Sequence, residues 1–231
     1  SCGLELVIHK GIPLQSGMGS SAASAVAGAV AANALLENPL SKKEILMHAL
    51  EGEKFASGGL HADNVAPSLF GGLVFCPQNS LPETSSIKMP DTLSSIVLHP
   101  ELKVNTAESR LKLNKNYSLD VLLEQQSYLA GFVLGVIQND ITLIRENLRD
   151  ILIEPQRASD VPCFKKIQEI ALNNGALGCS ISGSGPSIFA ICENNKSSQL
   201  EGLMRESCLN QGYDCQTWIS QSNSKGSAIE D

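Results

Sequence analysis

A short segment near the start of the chain combines glycine and serine in a pattern that suits phosphate binding. It reads Pro13-Leu14-Gln15-Ser16-Gly17-Met18-Gly19-Ser20-Ser21-Ala22. Gly17 and Gly19 can adopt backbone conformations that other residues avoid, and they let the chain approach a ligand closely. The serines stand at the start of a predicted helix, where unpaired amides and the helix dipole favour an anion. The segment therefore predicts a phosphate-binding loop, whose serine hydroxyls could also reach a metal ion.

Two other interpretations fit the same residues. A glycine turn followed by a serine helix cap is common and needs no ligand. The spacing also fits the dinucleotide-binding fingerprint, with Glu37 at the distance of its acidic residue. That fingerprint needs a second strand before the acidic residue, whereas an Ala-rich helical pattern precedes Glu37 and Pro39 follows it. A Walker A loop is excluded, because no Gly-Lys-Ser/Thr follows the glycines.

The loop lies between a predicted strand and a predicted helix. Residues 4–9 alternate loosely between apolar and polar types, which predicts a strand. Residues 20–36 are rich in alanine, which favours helix and permits close packing. Ser41 and Glu44 form a capping box that predicts a second helix, ending near Ala56. These two helices are the elements that must position the serines of the loop.

The rest of the chain mixes helices and strands without an internal repeat. Residues 58–72 predict a loop or short helix, and residues 77–92, rich in Ser, Thr and Pro, predict a connector. The other predicted helices are 106–113, 118–138, 141–149, 162–174 and 198–210. The other predicted strands are 73–76, 95–99, 179–182, 187–192 and 213–219, with a glycine turn at 183–186. The mix predicts an α+β protein with two lobes, residues 1–85 and 86–231.

The composition excludes several classes of function. The chain has 231 residues, of which 42% are hydrophobic and 18% charged, and a net charge of −7. An acidic chain without a basic run is a poor nucleic-acid binder. No apolar run approaches the ~20 residues that cross a membrane, and the start is unlike a signal peptide. Seven cysteines without a Cys-x-x-Cys pair indicate reduced thiols in a cytoplasmic protein and argue against a zinc site.

Two motifs resemble signatures of the GHMP kinase superfamily, which includes galactokinase, homoserine kinase, mevalonate kinase and phosphomevalonate kinase. Residues 13–23 resemble its second signature, P-x-x-x-G-L-G-S-S-A-A, with Met18 in place of Leu. Residues 178–187, G-C-S-I-S-G-S-G-P-S, resemble its third signature. The resemblance implies an ATP-dependent small-molecule kinase with a ribosomal-S5-like N-terminal lobe and a ferredoxin-like C-terminal lobe. Since the first signature is absent and the chain opens within a predicted strand, we expect a fragment whose N-terminal lobe is incomplete.

Within the superfamily, the chain resembles the homoserine kinase family. Glu53 followed by residues 58–67, G-G-L-H-A-D-N-V-A-P, resembles one block of that family. Residues 105–110, N-T-A-E-S-R, resemble its T-x-x-x-R, and residues 153–157, I-E-P-Q-R, resemble its I-E-P-x-R. The implied reaction phosphorylates the hydroxyl of L-homoserine with ATP and Mg²⁺, in threonine biosynthesis. A homodimer is compatible with the sequence.

The resemblance also implies roles for the matched residues, and the predicted catalytic set is Glu53, Ser21, Arg110 and Arg157. It places Glu53 at Mg²⁺ with Ser20 or Ser21, since a hard ion that bridges phosphates prefers such oxygens. It places Arg110 and Arg157 on the substrate carboxylate, which a planar guanidinium fork fits well. No general base is assigned, because the family's aspartate near the acceptor hydroxyl belongs to the absent first signature.

The remaining matched residues are predicted around the substrate: His61, Asn64, Thr106, Gly183 and Gly185. Each also has a simpler interpretation. His61 and Asn64 could hold their loop together, Thr106 could cap a helix, and the two glycines could form a hairpin turn. A mevalonate-type or sugar-type kinase of the same superfamily, and an inactive binding protein with this fold, are the alternatives at this point.

Overall fold

The chain forms two compact units and passes between them more than once. The structure is a computed structural model, and it describes residues 3–57, 61–104, 109, 111 and 113–230. The first unit spans residues 1–14, 19–88 and 223–231, and the second spans residues 15–18 and 89–222. The main boundary falls after Lys88, whereas the sequence placed it after residue 85.

The described part of the first unit contains three helices and a two-stranded sheet. They are α1 (Ser20–Ala34), α2 (Lys42–Ser57), α3 (Ala62–Phe70), β1 (Leu73–Phe75) and β2 (Ser85–Ile87). The two strands pair antiparallel. The buried core lies among the three helices and includes Ala22, Val26, Leu46, Leu50, Val65 and Leu69. This core fixes α1 against α2 and α3, and so fixes the residues at the start of α1.

The predicted capping box sets the start of α2. The Glu44 amide donates to the Ser41 hydroxyl at 3.4 Å, and the Glu44 carboxylate accepts from the Ser41 amide at 2.8 Å. The Ser41 hydroxyl also donates to this carboxylate, which is the largest cause of a lowered pKa for Glu44. The resulting stabilisation is present above the ordinary pKa of 4.5. It is lost as the pH falls through the lower folded-state value.

A four-stranded antiparallel sheet organises the second unit. Its strands are β3 (Leu93–Pro100), β4 (Gly178–Ile181), β5 (Ile188–Glu193) and β6 (Cys215–Gln221). They lie in the order β4-β5-β3-β6. Helices separate β3 from β4 and β5 from β6 along the chain. This βαββαβ arrangement is the ferredoxin-like topology that the resemblance implied.

Among the described residues of this unit, five helices accompany the sheet: α4 (Leu119–Gln138), α5 (Ile141–Asn147), α6 (Glu154–Arg157), α7 (Phe164–Asn173) and α8 (Ser197–Asn210). Helices α7 and α8 pack on the sheet in one buried core that includes Ile96, Leu98, Phe164, Ile167, Ile188, Leu200 and Met204. Within the described part of the chain, no helix combines the length and the apolar content needed to cross a bilayer.

Two expectations about local structure are wrong, and a third cannot be compared. Residues 4–9 form no strand, because no described strand pairs with them, and alternation alone does not supply a strand's hydrogen bonds. Residues 77–92 are more than a connector, since they contain β2 and a 3₁₀ turn at Gln78–Ser80. The predicted helix 106–113 lies largely outside the described residues.

Candidate active site

The predicted phosphate loop, residues 13–22, is divided between the two units. Residues 15–18 belong to the second unit, and the rest belong to the first. Each part is held by its own contacts.

In the second unit, the hairpin between β4 and β5 binds the carbonyl groups of the loop. The Ser187 amide donates to the Ser16 carbonyl oxygen at 3.2 Å, and the Ser182 hydroxyl donates to the Gly17 carbonyl oxygen at 2.9 Å. In a planar trans peptide the N–H points opposite to the C=O. The amides of Gly17 and Met18 share these two peptide planes, so they point away from the hairpin. A phosphate site needs this orientation, because the carbonyl oxygens, which would repel a phosphate, then face the hairpin.

Gly17 and the hairpin meet backbone to backbone. Gly17 has a φ of +74°, and a Cβ there would collide with the Ser182 carbonyl oxygen and lie 2.9 Å from the Gly185 carbonyl oxygen. From the opposite side, a Cβ on Gly183 would lie 3.0 Å from the Gly17 carbonyl oxygen. Any side chain at position 17 would therefore push the loop off the hairpin.

In the first unit, Gly19 begins α1 and packs against α3. It is the N-cap residue, with a φ of +74°, and as a glycine it contributes no side chain to cap the helix. A Cβ on Gly19 would lie 2.9 Å from Oδ1 of Asn64, so the predicted substrate residue Asn64 lies directly beside the loop. The next hydroxyl, that of Ser20, donates to the Ile12 carbonyl oxygen at 2.9 Å. The first turn of α1 carries no acidic residue that would compete with a bound anion.

Ser21 and Glu53, two predicted site residues of the first unit, are hydrogen bonded to each other. The Ser21 hydroxyl donates to Oε1 of Glu53 at 3.0 Å, and Glu53 is only 6% exposed. Small residues bring the two helices together here. A Cβ on Gly52, the neighbour of Glu53, would lie 3.3 Å from the Cβ of Ala25, one helical turn beyond Ser21. The alanine-rich sequence of α1 thus places a hydroxyl against a buried carboxylate.

This oxygen pair fits Mg²⁺ bound together with a nucleotide. Over the described residues, no three or more His, Cys, Asp or Glu side chains cluster as a metal site would require. Magnesium does not need such a cage, since it is usually held by one or two carboxylates, substrate phosphates and water. Ser21 and Glu53 supply a hydroxyl and a carboxylate of this kind. The Ser20 hydroxyl is directed at a carbonyl oxygen instead.

Some of the other predicted substrate residues lie within the described part of the chain, and others do not. Arg157 is the last residue of α6, and its Nη1 donates to the Gly183 carbonyl oxygen. Gly183 and Gly185 have φ values of +56° and +82°, so the predicted turn is glycine-dependent. His61 is the N-cap residue of α3. Thr106 and Arg110 lie outside the described residues.

Comparison with known proteins identifies the family of the chain. The GHMP kinases N terminal domain matches residues 2–72, and the GHMP kinases C terminal domain matches residues 132–210. The homoserine kinase of Xanthomonas campestris pv. campestris (strain B100) is 41% identical over 228 residues, which are 98% of this chain and 70% of that protein. The chain belongs to the homoserine kinase family.

Solved structures include a member of the same family and more distant proteins that share the fold. A homoserine kinase from Cytophaga hutchinsonii matches with a TM-score of 0.90 and 39% identity, over 94% of this chain and 69% of that one. A mevalonate kinase of L. major, solved with R-mevalonate, matches with a TM-score of 0.62 and 18% identity, over 96% of this chain and 69% of that one. The second match shows only that the two proteins share a fold, and the two-lobed GHMP kinase fold expected from the motifs is confirmed.

The sequence motifs of this homoserine kinase family member did not reveal what holds the loop. Ser182 and Ser187 both bind the loop, yet only the neighbouring glycines, Gly183 and Gly185, were singled out. Both serines lie within the matched third signature, so the signal was present there. The role of Ser187 depends on its backbone amide, which sequence reasoning does not distinguish from any other.

We expect Gly17→Ala to weaken ATP binding by roughly tenfold or more. Its methyl group would meet the Ser182 carbonyl oxygen at a left-handed φ, and such strain costs about 1–3 kcal/mol, where 1.4 kcal/mol is a factor of ten. Calorimetric titration of the complete gene product with ATP measures the effect.

Gly28→Ala is the matched control, because Gly28 lies inside α1 and a Cβ there has nothing within 4 Å. It should leave ATP affinity unchanged and raise stability by about 0.5–1 kcal/mol. Equal ATP affinity in wild type and a folded Gly17→Ala variant would show that the loop does not bind the phosphates.

Proposed function

We propose that this member of the homoserine kinase family transfers the γ-phosphoryl group of ATP to the hydroxyl of L-homoserine. The bond between the γ-phosphorus and its bridging oxygen breaks, a bond to the homoserine oxygen forms, and the hydroxyl proton is released. The observation that carries the proposal is the loop conformation, in which the hairpin binds the Ser16 and Gly17 carbonyls. Positioning and charge stabilisation supply most of the rate in such transfers.

Residues 13–22 bind the ATP phosphates mainly through their backbone. The Gly17 amide points away from the hairpin, and α1 follows Gly19 directly, whose lack of a side chain leaves the helix without an N-cap side-chain hydrogen bond. The 15 residues of α1 give that N-terminus a partial positive charge, which favours phosphate. Backbone donors also explain how a chain with a net charge of −7 binds a polyanion.

Ser21 and Glu53 are the residues that would hold Mg²⁺. When bound, the ion neutralises charge that develops on the transferring phosphate. Glu53 is buried, so its carboxylate charge is screened less than a surface charge would be. The hydrogen bond from Ser21 fixes the direction of Oε1 before any ligand arrives. Of the two serines left open by the sequence, Ser21 is therefore the preferred ligand.

Arg157, together with Arg110, binds the carboxylate of homoserine. A guanidinium has five N–H donors, so the Arg157 group can hold the Gly183 carbonyl through Nη1 and still contact a carboxylate. This tether restricts the rotamers of a flexible side chain and lowers the entropy cost of binding. His61, Asn64, Thr106, Gly183 and Gly185 keep the substrate-binding roles that the family resemblance implies.

The test of the function is ADP release by the complete gene product with L-homoserine, R-mevalonate or galactose as acceptor. We expect kcat/KM for homoserine to exceed that for the other two acceptors by at least about a hundredfold. A site built to bind an amino acid leaves polar groups unpaired with the wrong acceptor. Comparable rates with mevalonate would contradict the homoserine assignment, and no ADP release with any acceptor would contradict kinase activity.

Replacing the buried carboxylate should remove the metal ligand while keeping its shape. We expect Glu53→Gln to lower kcat by roughly a hundredfold or more, since such losses of charge stabilisation cost several kcal/mol. Glu51→Gln is the matched control, because Glu51 lies on the same helix with its side chain 64% exposed. It should retain full activity. Normal turnover of Glu53→Gln at saturating Mg²⁺ would exclude Glu53 as a ligand.

Changing Arg157 to lysine should separate binding of the two substrates. Lysine keeps the charge but loses the planar fork, so we expect Arg157→Lys to raise KM for homoserine by about tenfold or more, at 1.4 kcal/mol per decade. The KM for ATP should stay nearly constant. Homoserine methyl ester, which lacks the carboxylate charge, should discriminate less between wild type and mutant.

The control for this variant is Arg145→Lys, at an exposed arginine of the same unit. It should change neither KM value. A variant Arg157→Lys that loses affinity for ATP and homoserine equally would show that Arg157 serves the turn alone.

A further inference from the structure

A buried histidine lies behind the hairpin turn and has no role in the proposed reaction. His99 is the penultimate residue of β3, and the pairing of Leu98 with Ile188 puts it opposite Ser187. Its Nδ1 is hydrogen bonded to the Ser187 hydroxyl at 3.0 Å. His99 is 8% exposed and Ser187 is 0% exposed. A polar pair this deeply buried costs free energy unless both members are satisfied.

The same serine connects this pair to the phosphate loop. Its backbone amide donates to the Ser16 carbonyl oxygen at 3.2 Å. Ser16 is also buried, and its hydroxyl accepts from the Met18 amide at 3.2 Å. Ser187 therefore connects β3 to the loop. Its hydroxyl is hydrogen bonded to His99, and its backbone amide is hydrogen bonded to Ser16. All three residues of this path belong to the second unit.

The chemistry of the ring suits this position. Burial lowers the pKa of His99, and the Glu101 carboxylate opposes this only in part. The ring is therefore neutral near pH 7, with one donor and one acceptor nitrogen. A neutral imidazole can hydrogen bond to a hydroxyl without placing a charge under the loop. A lysine or arginine at this position would carry such a charge.

We propose that His99 is a positioning residue for the phosphate loop. Through Ser187 it fixes the Ser16 carbonyl oxygen, and this carbonyl sets the direction of the Gly17 amide in the same peptide plane. The proposal rests on the proposed function in one respect, namely that the loop binds nucleotide phosphates. It assigns His99 no contact with ATP or the acceptor.

The same strand supplies a matched comparison. Ser94, near the other end of β3, is also buried, and its hydroxyl donates to Oδ1 of Asn194 at 2.7 Å. It lies five positions before His99 in the strand, a distance of about 17 Å. Ser94→Ala removes a buried hydrogen bond from the same sheet without touching the path to the loop. It reports what a loss of stability alone does to ATP binding.

The test is the ATP dissociation constant of the complete gene product, measured by calorimetry without acceptor and supplemented by KM and kcat. His99→Phe keeps an aromatic ring at this position and removes the hydrogen bond. We expect it to raise the dissociation constant and the KM for ATP roughly threefold to tenfold, as loss of one hydrogen bond predicts. The KM for homoserine should stay within about twofold, since the path ends at the phosphate loop.

Three further variants separate positioning from general stability. His99→Asn places a polar atom near the position of Nδ1 and should restore ATP affinity. Ser94→Ala should lower the melting temperature without changing ATP affinity. Ser187→Ala removes the hydroxyl but keeps the amide bond to Ser16, so it should reproduce the effect of His99→Phe. Combining His99→Phe with Ser187→Ala should raise the ATP dissociation constant little beyond either change alone, because both break the His99–Ser187 hydrogen bond.

The proposal is overturned if ATP affinity follows melting temperature alike in His99→Phe and Ser94→Ala, or if His99→Asn fails to restore it. If His99→Phe does not fold, normal ATP affinity in Ser187→Ala would overturn the proposal instead. Because ATP binding is measured without acceptor, failure of homoserine phosphorylation would contradict the proposed function and leave this test intact.

Discussion

The contact between the backbone of residues 16–17 and the β4–β5 hairpin is the constraint on which the second unit's part of the site depends. Two carbonyl oxygens are bound there, and the peptide planes then dictate where the amides point. The contact is so close that only glycine fits at position 17. The same turn is held by Arg157 through the Gly183 carbonyl and by His99 through the Ser187 hydroxyl. The hairpin thus holds residues 16–17 of the loop and Arg157, and it joins both to the sheet.

The first unit positions its part of the site by close packing of small residues. Gly52 against Ala25 brings α1 and α2 near enough for Ser21 to reach Glu53. Gly19 against Asn64 does the same for α1 and α3. Helices that approach this closely have little freedom to shift, since larger side chains elsewhere in the interface are already packed. The alanine content that predicted a helix therefore also determines where its first hydroxyls lie.

The parts of this structure that sequence could predict are those set by local interactions. The start of α2 follows from Ser41 and Glu44, which are three residues apart and bind each other. The β4–β5 hairpin follows from glycines between two apolar runs. Residues 4–9 have the alternation of a strand, but a strand also needs a partner, which no local pattern supplies. β2 was not predicted, because its segment is polar and it becomes a strand only through its pairing with β1.

The same difference between local and long-range interactions decides which site residues the sequence could predict. Motifs indicated the loop, Glu53 and Arg157, because their residue types and order are characteristic. They did not indicate His99, whose role depends on the register between β3 and β5 and on an amide of Ser187. Such registers are long-range consequences of packing, and a single histidine at the end of an apolar strand carries no sign of them.

The path of the chain between the two units has a consequence for cleavage. The last described residues return to the first unit, where the Ser227 amide donates to the Ser68 carbonyl oxygen and Gly71 forms a bridge with Lys225. Conversely, residues 15–18 of the N-terminal portion belong to the second unit. A proteolytic nick between Lys88 and Met89 would therefore yield two fragments, each of which supplies a segment to the other's unit. Such fragments complement each other reciprocally, so a nicked molecule would remain associated until both exchanged segments detach.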